Sequence, residues 1–244
     1  MQPPVPHAVD RGQAHRGGGE EPRAVILLVG GDVATPRFVR PLPTGATVIA
    51  ADSGLHLARN LGLAVDLLVG DLDSVDAGAL AEAEAAGVRI DRHPVDKDET
   101  DLALALDAAA ADGPAPVTVI GGHGGRLDHL LGGALLLASP RYAELMITAH
   151  MGPAIVTVVR DEAEVVGRAG EFVSLVPVHG DAHGVTTRGL KFPLTGESLP
   201  AGSSRGVSNE LIDSHAQIRL TAGVLLVVQP GVPAPEPESG DPSP

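Results

Sequence analysis

An α/β fold followed by a smaller all-β segment is the class that this sequence of 244 residues predicts. Three observations predict it. Up to about residue 145, short and wholly apolar runs alternate with longer stretches of helical spacing, the pattern of a mostly parallel sheet covered on both faces. Most of those runs end directly in glycine or aspartate, and in such sheets ligands bind beyond the carboxyl ends of the strands. Past residue 145 the helical period gives way to short apolar runs split by Gly, Pro and Asp, the pattern of a small β-sandwich.

Taken in order, Ala24–Val29 is an apolar strand ending in Gly30-Gly31, and Thr47–Ala51 is a second ending in Asp52-Ser53-Gly54. Asp66–Val69 ends in Gly70-Asp71, Val88–Ile90 precedes an acidic cluster, and Val117–Ile120 ends in Gly121-Gly122. Helices are predicted over Ser53–Leu63, Asp76–Ala86, Thr100–Ala111 and Leu127–Ala138, between these strands. In the later half, Ala154–Arg160, Glu164–Val166, Phe172–Val178, Gly184–Arg188, Gln217–Leu220 and Gly223–Gln229 read as strands. The expected organisation is a tail over 1–22, an α/β half over 23–150, a β half over 151–230 and a tail over 231–244. Both tails are Pro-rich and polar, a composition that does not build a core.

Composition narrows the function. The chain has no cysteine, which excludes disulfides, thiolate zinc sites and thiol catalysis. A net charge of −14 argues against a duplex-DNA or anionic-membrane surface. One Tyr, three Phe and no Trp are too few for an aromatic single-strand platform. No apolar run approaches the length of a membrane span, and no apolar leader precedes the first strand, so a cytoplasmic location is expected.

Carboxylates crowd two segments, Gly70-Asp71-Leu72-Asp73-Ser74 and Asp96-Lys97-Asp98-Glu99-Thr100-Asp101. Residues i and i+2 of an extended segment point to one side, so Asp71 and Asp73 are placed to share a divalent cation. Turn chemistry explains either acid alone. An Asp98 N-cap with Asp101 at the third helical position explains two more, but leaves Asp96 and the intervening Lys97 without a reason. Lysine occurs only at 97 and 191, against fifteen arginines, and a compact charge at 97 suits phosphate. The loop Gly121-Gly122-His123-Gly124-Gly125 follows a strand and opens a helix, so its amides suit an anion, and Arg126 suits paired bonds to phosphate oxygens. Asp128 reads either as a further metal ligand or as an acid matched to the helix dipole. There is no Gly-x4-Gly-Lys-Ser/Thr loop, and Gly30-Gly31-Asp32 lacks the third glycine of a dinucleotide fingerprint. His123 and His129 read as surface or capping residues rather than bases. In the β half, Phe192 beside Lys191 offers a stacking face, and Ser208 and Asn209 offer hydrogen bonds to ring nitrogens, although Ser-Asn is also turn chemistry. Acids for Mg²⁺ together with glycines and cations for phosphate point to a nucleotide-dependent phosphoryl-type transferase.

The ordered motifs Ala51-Asp52-Ser53-Gly54, Gly70–Ser74, Asp96–Asp101, Gly124–His129, Thr187–Phe192 and Ser208-Asn209 resemble those of the thiamine pyrophosphokinase family. Two positions depart from the pattern: Ser53 stands where the family has glycine, and Phe192 where it has tryptophan. The resemblance implies a Rossmann-like nucleotide half, a β-sandwich half and a homodimer with thiamine held between the halves near the subunit interface. It implies ATP as co-substrate and Mg²⁺ as the metal, with transfer of a pyrophosphoryl group to thiamine and release of AMP. Asp71, Asp73 and Asp101 would hold Mg²⁺ or orient the hydroxyl, with Asp98 next. Lys97 and Arg126 would meet phosphate, Asp52, Gly124, Gly125 and Asp128 would border the nucleotide, and Phe192, Ser208 and Asn209 would hold thiamine. A sister enzyme acting on another hydroxymethyl heterocycle such as a pterin, and a nucleotide sensor of the same fold, stand as alternatives.

Overall fold

A computed structural model describes residues 22–31 and 41–231. The two predicted tails therefore fall, apart from Pro22 and Gly231, outside the described residues, as does Asp32. The strands of the α/β half are β1 (Val25–Val29), β2 (Thr47–Ala51), β3 (Leu67–Gly70), β4 (Arg89–Arg92), β5 (Pro116–Ile120) and β6 (Met146–Met151). They interleave with helices α1 (Gly54–Leu61), α2 (Ala77–Ala85), α3 (Asp101–Ala110) and α4 (Leu127–Leu137). Then follow β7 (Ala154–Val159), β8 (Glu162–Val166), β9 (Phe172–Pro177), β10 (Ala182–Arg188), β11 (Glu197–Leu199), β12 (Asn209–Glu210), β13 (His215–Arg219) and β14 (Leu225–Gln229). Among the described residues, no helix is long and apolar enough to cross a membrane.

Ten strands form one sheet in the order β12-β9-β14-β7-β6-β5-β1-β2-β3-β4. Every pairing from β6 to β4 is parallel, and every pairing from β6 to β12 is antiparallel. The change comes at a hairpin in which Met151 faces Ala154 across Gly152-Pro153. Gly152 has φ +60°, a conformation that matches a tight hairpin to the twist of its strands. Sequence pattern misses β6 because Thr148 and His150 interrupt its apolar run, yet His150 is buried. The remaining strands form a second sheet, β11-β10-β13-β8.

Burial explains the layers. On one face of the large sheet Ala105, Leu106 and Ala109 of α3 and Leu137 of α4 pack against β1, β2, β3, β5 and β6. On the other face Leu55 and Ala58 of α1, and Ala79 and Ala83 of α2, cover β1, β2, β3 and β5. The antiparallel end is buried twice by period-two alternation. Leu225 and Val227 of β14 face the four-stranded sheet, while Leu226 packs into the helical core. One layer of the sandwich is thus continuous with the α/β sheet. Helix starts follow their caps: Asp76 Oδ1 accepts from Ala79 N at 2.9 Å, and Thr100 Oγ1 accepts from Ala103 N at 3.3 Å. Thr100, not Asp98, caps α3, which corrects that part of the sequence reading.

Strand order reverses at β1, whose neighbours are β2 and β5. The crevice beyond that point is where ligands bind in open α/β sheets. The glycine loops after β1 and β5 meet there: Gly122 N donates to Gly30 O at 2.9 Å. A Cβ on Gly121 would fall 2.0 Å from Val29 O, at a φ of +108°. Gly121→Ala is expected to cost about 3 kcal/mol, from strain plus displacement of the β1 backbone. Gly132→Ala, in α4 with no atom within 4 Å of the added Cβ, is expected to gain about 0.5 kcal/mol. Thermal denaturation of the two variants checks both signs.

Candidate active site

Asp52 and Asp71 come together through the β2–β3 register, in which Ala51 pairs with Val69 and Asp52 N donates to Val69 O at 2.9 Å. Asp52 has φ +47°, an uncommon conformation for a residue with a side chain. One oxygen from each of Asp52, Asp71 and Asp73 lies within 4.8 Å of the other two. That span is close to the width of a hard cation's oxygen shell, about 4–5 Å across. Asp52 Oδ1 is buried with no hydrogen-bond partner among the described residues, while Oδ2 accepts from Ser74 Oγ. A buried oxygen left open among three acids fits a cation better than it fits an isolated turn. Ser74, part of the quoted motif but given no role by sequence, orients Asp52.

Lys97 joins the second acidic segment to this group. Its Nζ lies 2.6 Å from Asp71 Oδ2 and 3.1 Å from Asp101 Oδ1, and the Lys97 and Asp71 side chains are each only 11% exposed. Gly70 leaves the room: a Cβ there would lie 3.1 Å from Asp101 Oδ1 and 3.3 Å from the Asp52 Cβ. The Lys97 bond holds Asp71 below the usual carboxylate range. The charge of Asp71 in turn pushes Asp73 above it. Burial lowers the Lys97 pKa, but the bonds to Asp71 and Asp101 outweigh it and leave it raised. The converging carboxylates are therefore Asp52, Asp71 and Asp73, with Asp101 attached through Lys97. Asp98 is exposed and stands outside this group.

The phosphate-type loop lies beyond β5. Gly124 and Gly125 have φ of +87° and +64°, which suits consecutive glycines. Arg126 pairs with Asp128 through Nε–Oδ1 at 3.1 Å and Nη2–Oδ2 at 2.5 Å, holding the Asp128 carboxyl down to about 2. Both side chains are exposed, so water screens the pair and an incoming phosphate competes for Arg126. His123 packs its ring against Gly152 and has a buried Nδ1 with no hydrogen-bond partner among the described residues. Ser53 is accommodated because Gly30 lacks a Cβ, which would fall 2.0 Å from Ser53 Oγ.

At the other end of the sheet, Phe192 is 60% exposed and lies beneath Lys191 Nζ, 5.7 Å from its ring centre. Lys191 also bonds both oxygens of Glu210, at 3.0 and 2.9 Å. Asn209 is buried, and its amide clamps the Phe192 backbone: Oδ1 accepts from Phe192 N at 3.0 Å and Nδ2 donates to Phe192 O at 2.8 Å. The Asn209 amide thereby fixes the backbone of Phe192. Ser208 has φ +58°, donates its backbone N to Ser174 Oγ at 3.0 Å and leaves its own side chain exposed. Asn209→Leu strands the Phe192 N–H and C=O and is expected to cost about 2–3 kcal/mol. It should also raise KM for the ring-bearing substrate more than it lowers kcat, and denaturation with steady-state kinetics tests both.

Acids and phosphate-type loops gathered at the switch point of an α/β sheet, with a sandwich presenting an aromatic face, define a group-transfer enzyme that works on a phosphorylated nucleotide. The catalytic-domain model of thiamin pyrophosphokinase matches residues 42–149, and the vitamin B1 binding-domain model of the same enzyme matches residues 156–225. The chain belongs to the thiamine pyrophosphokinase family. Thiamine pyrophosphokinase of Bacillus subtilis (strain 168) is 28% identical over 220 residues, covering 85% of this chain and 98% of that protein. The crystal structure of thiamine pyrophosphokinase from Bacillus subtilis superposes with a TM-score of 0.75 at 26% identity, over 86% of this chain and 100% of that one. The enzyme from Geobacillus thermodenitrificans gives 0.69 at 28% identity, over 86% and 99% of the respective chains. The pterin and sensor alternatives receive no support from these comparisons.

Proposed function

We propose that this chain transfers the pyrophosphoryl group of ATP to the hydroxyl of thiamine, giving thiamine diphosphate and AMP. The observation that carries the reading is the convergence of Asp52, Asp71 and Asp73, with Lys97 and Asp101 attached, beside two glycine loops at the switch point. In the reaction the thiamine oxygen bonds to the β-phosphorus, the bond from that phosphorus to the bridging oxygen breaks, and AMP leaves with that oxygen. The hydroxyl proton passes to a carboxylate of the cluster or to water. Charge gathers on the phosphate oxygens, so positioning and cations carry most of the rate.

Asp52, Asp71 and Asp73 would hold Mg²⁺, which when bound offsets charge on the phosphate oxygens. The chain's own contribution is to hold the nucleotide in place. The loop amides of Gly121–Gly125 face its phosphates, Arg126 exchanges Asp128 for a phosphate oxygen, and Lys97 supplies a fixed cation beside Asp71 and Asp101. Residues 23–150 serve the nucleotide and residues 151–230 serve thiamine, a division supported by the two matched segments.

The same reading makes the enzyme a homodimer. Eight strand spacings separate β3, which carries Asp71, from β12, which carries Asn209. At about 4.8 Å each, that is roughly 38 Å along the sheet, further than one small substrate reaches. A second copy that sets its Phe192 against the acids of the first closes the gap twice over, as a two-fold axis requires. Exposed apolar side chains are available to such a contact: Leu127, Leu131 and Leu135 one turn apart on α4, and Phe172, Phe192, Val207 and Ile212 near β12.

The test is a discontinuous assay of the purified protein with Mg²⁺, ATP and thiamine that separates AMP from ADP. AMP and thiamine diphosphate in equal amounts establish the reaction. ADP with thiamine monophosphate, or no turnover of thiamine, overturns it.

A further inference from the structure

A cavity of about 660 Å³ lies on the outer face of the four-stranded sheet, away from the sandwich core. That is within the range of sites for small organic ligands, about 300–1,000 Å³. Arg160, Arg188 and Arg219 line it together with Thr186, Thr221 and Gln217, and Asp161 also borders it. None of these residues belongs to the acid cluster, the glycine loops or the Phe192 clamp.

Arg160 is the least ordinary of them. Its Nη2 donates to Ala138 O and Ser139 O, both at 2.9 Å, at the carboxyl end of α4. That accounts for one nitrogen. Its Nε is buried with no partner among the described residues, and burial lowers its pKa with no carboxylate to offset the cost. A guanidinium partly withdrawn from water, with its Nε buried and no anion beside it, is an uncommon arrangement in a chain that carries 31 acidic residues. Arg188 likewise makes no ion pair among the described residues. Arg219 pairs with Glu162 at 3.2 Å, but the two side chains are 66% and 62% exposed, so solvent screens the pair. Polar groups for the body of a ligand are also present. Thr186 Oγ1 accepts from Gly196 N and keeps its proton to donate, while Thr221 Oγ1 donates to His183 O and keeps its lone pairs.

We propose that this cavity is a second binding site, separate from the reaction centre, for a small phosphorylated metabolite whose phosphate meets Arg188 and Arg219 near Arg160 and whose hydroxyls meet Thr186, Thr221 and Gln217. Planar guanidinium groups match phosphate oxygens in pairs, which a lysine-lined site does not. The site stands on these side chains alone and holds whichever reaction the acid cluster performs.

The test titrates the full chain with inorganic phosphate by calorimetry, using wild type, R188Q/R219Q and R126Q. Both arginines of the double variant lie on an exposed sheet face, and circular dichroism melting confirms that it folds, with R188Q alone as the milder variant. The expected result is two phosphate sites in wild type. One weakens about tenfold or more in R188Q/R219Q and survives in R126Q, while turnover of the double variant stays within about twofold of wild type. A phosphate isotherm unchanged by R188Q/R219Q overturns the proposal. So does loss of turnover in step with loss of binding, which would make the cavity part of the reaction centre.

Discussion

Asp71→Asn is expected to lower turnover by about three orders of magnitude while leaving the melting temperature near that of wild type. Asp71 is the hinge of the site: it shares the open acid group with Asp52 and Asp73, and it bonds Lys97 at 2.6 Å. The amide of asparagine keeps the shape and still accepts from Lys97, and Lys97 keeps Asp101 at 3.1 Å. Folding loses little, because the substitution also removes one of several like charges packed together. Catalysis loses a ligand and a full charge at the place where phosphate charge must be balanced. The same variant carries a second readout. The charge of Asp71 is the main reason that Asp73 titrates above its ordinary value, so removing it should bring the Asp73 carboxyl down, as carbon-detected NMR titration would show. Parallel losses of stability and activity would make Asp71 a structural residue and sink the assignment.

The acids were legible in the sequence because local pattern marks them. Gly70–Ser74 and Asp96–Asp101 each stand next to a strand or helix start, and clustered like charge has few explanations other than a cation. The membership of the cluster was not legible. Asp52 enters it through the register of β2 on β3, and pairing between parallel strands leaves no local trace. Asp98 and Asp101 look alike in the sequence, yet Thr100 takes the cap and turns only Asp101 towards Lys97. The helices α1 to α4 and the longer strands other than β6 follow from period and punctuation. The short strands β11 and β12 do not, because three and two residues carry no period. Asn209 shows the same limit in the β half. Its residue type promised hydrogen bonds, but only the fold reveals that two of them hold the Phe192 backbone.

Mixing two impaired variants should restore activity if the site is shared between chains. Phe192→Ala removes the exposed ring and is expected to raise KM for thiamine by about tenfold or more, since a stacking face that size contributes about 1–3 kcal/mol. Asp71→Asn disables the acids. In a hybrid dimer the Asp71→Asn chain still supplies an intact Phe192, and the Phe192→Ala chain still supplies intact acids. Under the shared arrangement those two intact parts meet in one of the two sites. Random exchange makes half of all dimers hybrid, so an equal mixture should recover about a quarter of wild-type turnover at low thiamine. If each chain built its whole site alone, every hybrid would contain two damaged sites and mixing would restore nothing. The sheet order predicts the first result, because Asp71 and Asn209 stand eight strands apart in one chain. Recovery that appears only after unfolding and joint refolding would still support the shared site, since it shows only that the dimers exchange slowly. No recovery, with hybrids demonstrated by mass spectrometry, would mean that each chain builds its site alone and would overturn the shared arrangement.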